Sequence, residues 1–153
     1  MMYGHQLKAI IDKDSFMSKM LGGIMSARTA VKMPKQSGKV YIINTDEHWT
    51  ILFMPKHNGA PFYFDPGAKK PPAALQKWLL TMGCFRRNTV KVQGSTSYLC
   101  GLFIIFVFYH VSRGCAIAKV LKLFSRNAAK NDRLVTRFAY DRFKFDVSSE
   151  IKL

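Results

Sequence analysis

The residues best suited to chemistry in this sequence are Cys100, His48, Asp65 and Gln93. A cysteine becomes an effective nucleophile when an imidazole takes its proton, and a carboxylate that holds the imidazole in one tautomer improves that transfer. A side-chain amide beside the nucleophile, together with a backbone N–H group, stabilises the oxyanion of a tetrahedral intermediate. Together, these residue types predict acyl chemistry at a thiol.

The elements predicted around Cys100 favour this chemistry. The apolar run over residues 99–112 predicts a buried helix with Cys100 in its first turn. A thiol in that position faces unpaired backbone N–H groups and the positive end of the helix dipole, which favours the thiolate. Gln93 lies in the polar turn before this helix, after a short strand predicted over residues 89–92. We expect its amide and the N–H of Cys100 to form an oxyanion hole.

A predicted hairpin brings His48 and Asp65 together. Three runs rich in aromatic and β-branched residues predict strands at residues 40–43, 49–54 and 61–65. Residues 56–59 stand where a hairpin turn is expected, with Asn58-Gly59 as the strongest signal, which makes the second and third strands antiparallel neighbours. His48 then stands at the start of one strand and Asp65 at the end of the next, and those two ends lie side by side.

The rest of the chain is predicted to be mainly helical. The expected features are one or two short helices over residues 4–20, a break at Gly22-Gly23, a helix over 71–82 and an amphipathic helical stretch over 116–140, in two pieces if Asn127 breaks it. We therefore predict a single domain over residues 1–153 of the α+β class. A small mixed or antiparallel central sheet packs against helices, and Cys100 begins a buried central helix.

Composition limits the class of protein. The 153 residues are 48% hydrophobic and 13% aromatic, which argues for a folded core and against disorder. Residues 1–10 mix His5 and Lys8 into a weakly apolar stretch, so we expect no secretory signal, and the longest apolar run is too short to cross a bilayer. A soluble intracellular monomer without a membrane partner is the expectation.

The cysteines and histidines predict neither a disulfide framework nor a metal site. Cys84, Cys100 and Cys115 are odd in number, so at least one thiol is free and a reducing compartment is the simpler context. The four histidines are scattered along the chain, and no Cys/His cluster has zinc spacing. We expect no metal and no small-molecule cofactor.

The charge predicts a polyanionic partner. The net charge is +15, from 24 basic and 9 acidic residues, and nucleic acid is the leading candidate, although charge also serves solubility. Six cations lie at steps of three and four residues, on one stripe if the helix is continuous: Lys119, Lys122, Arg126, Lys130, Arg133 and Arg137. We expect these side chains to contact DNA.

Each candidate catalytic residue also has an ordinary structural interpretation. A buried cysteine such as Cys100 is usually inert core, and a lone His48 is more often a surface or capping residue. Asp65 before Pro66-Gly67 suits a turn. Trp49 either covers a protonated His48 ring by a cation–π contact or fills the core. The conjunction of these residues carries the catalytic hypothesis.

The active-site series resembles that of the adenovirus proteases (adenain). His48-Trp49, Asp65-Pro66, Gln93-Gly94 and Cys100-Gly101 follow in that family's order, and residues 92–95 and 100–103 are especially similar. Asn44-Thr45 and the segment over residues 7–10 also resemble the family, so the likeness covers roughly residues 5–110. Asp65 stands where those enzymes often carry Glu, and both carboxylates can orient an imidazole.

The resemblance implies a viral-type thiol protease that cleaves capsid or core precursor proteins during virion maturation, in the virion and host nucleus. It also implies stimulation by DNA and by an activating peptide. Cys84 is placed similarly to the cysteine through which that peptide bonds. Proteases for SUMO or ubiquitin-like proteins share the His, Asp, Gln, Cys order and are the nearest alternative; a few acyltransferases use the same residues. The rival class is a non-enzymatic, basic DNA-binding or packaging protein.

Overall fold

The computed structural model describes residues 2–46 and 48–147. The chain divides into two compact units. The helical unit extends to Lys19 and resumes at Val92, and the sheet unit comprises Met20–Lys91. The predicted α+β class is confirmed, since a five-stranded mixed sheet packs against helices. The single domain over residues 1–153 stays a prediction, and residues 1, 47 and 148–153 of that range lie outside the described residues.

The strands stand in the sheet in the order in which they occur along the chain. They are β1 (Leu21–Ser26), β2 (Val40–Asn44), β3 (Trp49–Phe53), β4 (Phe62–Phe64) and β5 (Arg86–Arg87). The pairs β2–β3 and β3–β4 are antiparallel, while β1 and β5 run parallel to their neighbours. The predicted antiparallel pairing of the strands beside Asn58-Gly59 is therefore confirmed.

The helices of the described residues fall at both ends of the chain and between the strands. They are α1 (Gly4–Asp12), α2 (Ser15–Met20), α3 (Ala27–Ala30), α4 (Ala73–Leu80), α5 (Cys100–Ser112), α6 (Ile117–Leu121) and α7 (Ala128–Phe143). Asp14 Oδ1 accepts the N–H of Met17 at 2.8 Å and so caps α2. None of these helices is long and apolar enough to cross a membrane.

In the sheet unit, α3 and α4 cover one face of the sheet. A buried apolar cluster joins Tyr41, Ile43, Leu52 and Tyr63 of the strands to Ala30, Leu75 and Leu79 of the two helices. Strand side chains alternate in direction along the backbone, so residues 41 and 43 of β2 point to the same face. This cluster packs α3 and α4 against the sheet whose strands β3 and β4 adjoin His48 and Asp65.

Two local predictions were wrong. Gly22-Gly23 does not break the chain but lies inside β1, because β1 pairs with β2 and a Cβ on Gly22 would stand 2.5 Å from Cζ of Tyr41. The strand predicted over residues 89–92 instead lies at Arg86–Arg87. This strand ends at Arg87 because the next residue, Asn88, bonds to the backbone of Asp65 through its side chain and not through its own backbone groups.

In the helical unit, α5 contacts α1, α6 and α7. It is buried from Cys100 to Tyr109, as its uniformly apolar sequence predicted. The amphipathic stretch after it is indeed in two pieces, and Asn127 caps α7 by accepting the N–H of Lys130 at 3.2 Å. Phe124, between α6 and α7, and Phe138 of α7 contact Phe106 of α5, so apolar side chains on both sides of Asn127 cover that helix.

Candidate active site

His48 and Asp65 meet at one edge of the sheet unit. Asn44 and Trp49 form the last pair between β2 and β3, and the N–H of Thr45 donates to the carbonyl of His48 at 2.8 Å. His48 therefore enters β3 directly from a tight turn, while Asp65 directly follows β4. Because β3 and β4 are antiparallel, the start of one lies beside the end of the other. The distance between His48 Nε2 and Asp65 Oδ1 is 2.6 Å.

Asp65 is held through both its side chain and its backbone. Its Oδ1 also accepts the N–H of Gly67 at 2.8 Å. Its own N–H donates to Asn88 Oδ1 at 3.0 Å, and its carbonyl accepts from Asn88 Nδ2 at 2.6 Å. Nothing local in the sequence marks Asn88, because its partner lies 23 positions away. The carboxylate thus has a fixed position before any substrate arrives.

The pair has the burial that acid–base chemistry requires. The Asp65 side chain is 4% exposed, whereas that of His48 is 26% exposed. When an imidazole donates from Nε2 to a carboxylate, the lone pair of its neutral form lies on Nδ1, which then acts as the base. Trp49 is buried in β3, in keeping with a core role, and its stacking on the imidazolium stays a prediction.

Cys100 is the first residue of α5 and is buried. The earliest N–H groups of a helix have no intrahelical acceptor, and no side chain among the described residues caps α5. The first backbone bonds of this turn run from Leu102 and Phe103 to the carbonyl of Leu99. The thiol therefore stands among unpaired donors, the environment expected from the sequence. Cys84, Cys100 and Cys115 are all free thiols.

Gln93 is buried in the helical unit and bonds to the segment that leads into α5. Its Nε2 donates to the carbonyl of Ser97 at 3.1 Å and to Ser97 Oγ at 3.2 Å. Ser97 Oγ accepts the N–H of Leu99 at 3.3 Å and donates to Asp132 Oδ1 at 3.1 Å. Burial raises the pKa of Asp132, although the hydrogen bond from Ser97 opposes this. The Gln93 amide is thereby linked to the residue that precedes Cys100.

A second residue of α7 holds the chain just before Gln93. Asn131 is buried, and its Nδ2 donates to the carbonyl of Val92 at 2.9 Å and to that of Ser125 at 2.8 Å. Its Oδ1 accepts the N–H of Ser125 at 2.8 Å. Ser97, Asn131 and Asp132 do not stand out in the sequence, because they meet their partners across separations of 35 and 39 positions.

The six cations proposed for DNA are all exposed, but they do not share one helix. A single stripe required one continuous helix, and the chain is not helical between α6 and α7. Lys130, Arg133 and Arg137 lie on one face of α7, Lys119 lies in α6, and Lys122 and Arg126 lie between the two helices. Their contact with DNA stays a prediction.

Cys84, proposed to link an activating peptide, is exposed in the segment between α4 and β5. That placement makes the thiol accessible, and the linking role stays a prediction. Among residues 2–46 and 48–147, no three His, Cys, Asp or Glu side chains come together as a metal site. The predicted independence from a metal cofactor is a matter for experiment.

Comparison with known proteins finds a partial likeness of fold among solved structures. No protein-family model matches the chain, and no curated protein matches it. Among solved structures, the crystal structure of the ASFV pS273R protease matches with a TM-score of 0.44 and 17% sequence identity. The match covers 61% of this chain and 39% of that one, so the aligned part spans less than half of that protease. The likeness concerns the course of the backbone.

Proposed function

We propose that this chain is a cysteine endopeptidase with Cys100 as nucleophile, His48 as general base and acid, Asp65 as the residue that orients His48, and Gln93 as an oxyanion donor. The contact of 2.6 Å between His48 Nε2 and Asp65 Oδ1 carries the proposal. Burial of a carboxylate costs free energy, and here the donors that offset it include an imidazole that remains partly exposed. That arrangement suits proton transfer better than it suits packing.

The proposed reaction begins when Nδ1 of His48 takes the proton of Cys100 Sγ. The thiolate attacks a peptide carbonyl carbon, a C–S bond forms, and the π electrons move to oxygen. One N–H of Gln93 Nε2 and the N–H of Cys100 stabilise this oxyanion. His48 then gives its proton to the departing amine as the C–N bond breaks. Water, with His48 as base, hydrolyses the thioester and regenerates the thiol.

The helical unit supports the roles of Cys100 and Gln93 independently of His48. The thiol occupies the first position of a helix of 13 residues that no side chain of the described residues caps. Such a site stabilises negative charge, both on a thiolate and on an oxyanion that forms beside it. The Gln93 amide nitrogen reaches Ser97, three positions before the nucleophile. Both groups required at the reacting carbonyl thus belong to one continuous segment.

The substrates proposed are viral capsid or core precursor proteins, cleaved during virion maturation in the virion and host nucleus. We further propose stimulation by DNA and by a peptide that bonds to Cys84, whose thiol is exposed. These details follow the resemblance to adenovirus proteases. A protease for SUMO or ubiquitin-like proteins, which uses the same four residue types, is the alternative.

The decisive experiment measures alkylation of Cys100 in a Cys84→Ala/Cys115→Ala protein, where it is the one remaining thiol. An unactivated thiol with a pKa near 8.5 is less than about 1% thiolate at pH 6. If His48 holds Cys100 as a thiolate–imidazolium pair, iodoacetamide will label it rapidly at pH 6. His48→Ala is expected to slow labelling at pH 6 by about 10²-fold, and Asp65→Asn by a smaller factor.

His57→Ala is the matched control, because His57 is an exposed histidine in the loop between β3 and β4. It is expected to label at the wild-type rate. Labelling at pH 6 that is slow in the parent protein, or unaffected by His48→Ala, would show that Cys100 is an inert core thiol. Peptide-bond cleavage of an unfolded protein substrate, lost in Cys100→Ala, then separates a peptidase from an acyltransferase.

A second candidate function, non-enzymatic DNA binding, is favoured by the net charge of +15 and by the exposed cations of α6 and α7. Each phosphate contact adds about 0.9 to the slope of log affinity against log salt. Replacing Lys130, Arg133 and Arg137 by Ala is expected to lower that slope by about 2 to 3 if this face of α7 binds duplex DNA. Replacing Lys32, Lys69 and Lys77 of the sheet unit removes equal charge and serves as the control. A DNA-binding protein that is not an enzyme would show the salt effect without rapid labelling of Cys100.

A further inference from the structure

We infer that Ser97 and Asp132 are positioning residues that hold the Gln93 amide with its nitrogen toward the start of α5. This inference rests on the proposed function, because it concerns the oxyanion donor of that reaction. The Ser97–Asp132 relay consists of Asp132 Oδ1, Ser97 Oγ and Gln93 Nε2, joined by contacts of 3.1 and 3.2 Å. All three residues belong to the helical unit.

The first step concerns which end of the Gln93 amide faces Ser97. A backbone carbonyl accepts hydrogen bonds and donates none, so the Gln93 atom 3.1 Å from the carbonyl of Ser97 must be the nitrogen. A reversed amide would set two oxygens against each other. Ser97 therefore fixes the N–H₂ group on the side of the segment that enters α5, where an oxyanion donor is required.

The second step concerns the hydroxyl group of Ser97. A hydroxyl has one hydrogen to donate and two lone pairs that accept. The hydrogen goes to Asp132 Oδ1, and the lone pairs receive N–H groups of Gln93 and Leu99. Without Asp132, the hydroxyl hydrogen is free to rotate toward those donors and compete with them. The carboxylate thus makes Ser97 Oγ an acceptor for both neighbours.

The third step concerns the rigidity of the loop that carries Gln93. Two adjacent residues of α7 hold it on either side: Asn131 bonds to the carbonyl of Val92, and Asp132 bonds to Ser97. Between them, a Cβ on Gly94 would lie 3.4 Å from Cβ of Ala128, so the loop lies directly against the first turn of α7. A catalytic donor must be held to within a fraction of an ångström, and this anchoring provides that precision.

The relay makes a kinetic prediction that a merely structural role does not make. During turnover, one N–H of Gln93 leaves Ser97 for the oxyanion while the other remains on Ser97. Loss of an oxyanion donor costs about 10² to 10³ in kcat, and loss of its orientation costs part of that. Ser97→Ala and Asp132→Ala are each expected to lower kcat about 10-fold or more, with KM and the rate of Cys100 alkylation nearly unchanged.

The experiment uses the full chain lacking Cys84 and Cys115, with 4-nitrophenyl acetate as acyl donor and iodoacetamide as alkylating agent. Alkylation involves no oxyanion, so it reports an intact fold and an active thiol. Ser97→Thr and Asp132→Asn keep a hydroxyl and an acceptor oxygen, and both should restore most of kcat. Asp141→Asn is the matched control, an exposed aspartate on α7 whose replacement makes the same change in charge.

A double-mutant cycle with Gln93→Ala decides whether Ser97 acts through Gln93. If it does, Ser97→Ala has no further effect on kcat once Gln93 is replaced. Equal, additive losses in both backgrounds would overturn the inference, as would wild-type kcat in Ser97→Ala and Asp132→Ala. A parent protein that neither alkylates rapidly at pH 6 nor turns over the ester would instead refute the proposed function, and the inference with it.

Discussion

The His48–Asp65 pair and the Gln93–Cys100 segment are built by different means. In the sheet unit, the carboxylate is placed by a hairpin, and its donors His48 and Gly67 lie 17 and 2 positions away in sequence. In the helical unit, the amide of Gln93 is oriented through Ser97 by Asp132, 35 positions beyond Ser97. One half of the candidate site follows from local chain geometry, while the other depends on a distant helix.

This difference implies different sensitivities to mutation. Strand pairing distributes the placement of His48 and Asp65 over many backbone hydrogen bonds, so few single side chains control it. The Gln93 loop instead depends on Asn131 and Asp132: removal of Asn131 leaves the buried carbonyl of Val92 without this partner, and removal of Asp132 takes the acceptor from the half-buried Ser97 hydroxyl. Substitutions that release the Gln93 loop should therefore impair the oxyanion donor alone, whereas substitutions that release Asp65 should impair the His48–Asp65 pair on which thiol activation depends.

The largest effect expected from breaking either half is that of Asn131→Ala. It leaves two carbonyls and one N–H group without their partner, at about 1 kcal/mol or more each, so we expect a loss of about 3 kcal/mol in the free energy of unfolding. Asn88→Ala leaves the N–H and the carbonyl of Asp65 without their hydrogen-bond partner, and it should lower the free energy of unfolding by about 2 kcal/mol. Denaturant titration measures both.

Asn58→Ala makes the same chemical change at an exposed position and should alter stability by less than about 0.5 kcal/mol. Function should distinguish the two buried variants. Asn131→Ala is expected to reduce ester turnover while iodoacetamide labelling at pH 6 persists, whereas Asn88→Ala should reduce both. Identical functional profiles would contradict the division of roles between the two units.

An intermediate effect is expected from glycines at close contacts in the two units. Gly22→Ala would press a methyl group against the Tyr41 ring, whose Oη is fixed by the N–H of Gln36 at 2.8 Å. We expect a loss of about 2 kcal/mol in unfolding free energy. Gly101→Ala would instead meet Sδ and Cβ of Met2 at 2.9 and 3.3 Å, in a flexible side chain.

The gain in helix propensity in α5 offsets part of that contact, so Gly101→Ala should change stability by less than about 1 kcal/mol. Thermal or denaturant unfolding of both variants tests the comparison. A larger loss for Gly101→Ala than for Gly22→Ala would mean that Met2 is less adaptable than its chemistry suggests.

The smallest effect concerns Asp14 and Arg113, which join α2 to the end of α5 across 99 positions. Burial alone would raise the pKa of Asp14, but hydrogen bonds from Arg113 and the N–H of Met17 outweigh it and hold that pKa below its usual range. The depressed pKa stabilises the fold at pH values above about 4, and this contribution is lost as pH falls through the folded-state pKa.

Asp14→Asn tests this pair, because asparagine retains the helix cap and removes the charge. We expect the wild-type protein to exceed this variant by about 1 kcal/mol in unfolding free energy at pH 7. The difference should shrink as the pH is lowered below 4, with Asp12→Asn, an exposed aspartate of α1, as control. A difference independent of pH would contradict the stabilising role assigned to the Asp14 charge.

Much of the fold was predictable because it depends on short-range patterns. The runs around Ile42, Ile51 and Tyr63 have strand composition, and the last two pair antiparallel across the loop that contains Asn58-Gly59. The start of α5 at Cys100 follows from the change from a polar turn to an apolar run. These local features are sufficient to predict that His48 lies beside Asp65.

The two wrong local predictions share one physical cause: the role of a glycine or a side-chain amide depends on residues that are distant in sequence. Gly22 has the local pattern of a chain break, but its role is to leave space for the ring of Tyr41, which lies where a side chain at position 22 would lie. Arg86–Arg87 has no strand signal of its own and pairs because β4 offers an edge, while Asn88 ends that pairing. Propensity gives way to tertiary context at such positions.

The sequence by itself determined the chemical groups, their order and the local elements that carry them, since periodicity and turn chemistry act within a few residues. It determined the pairing of His48 with Asp65 for the same reason. Only the tertiary structure decided what orients Gln93, because a buried amide is fixed by whichever acceptors the fold brings to it, and here these depend on Asp132 of α7. Local patterns contain no information about contacts that long-range packing creates.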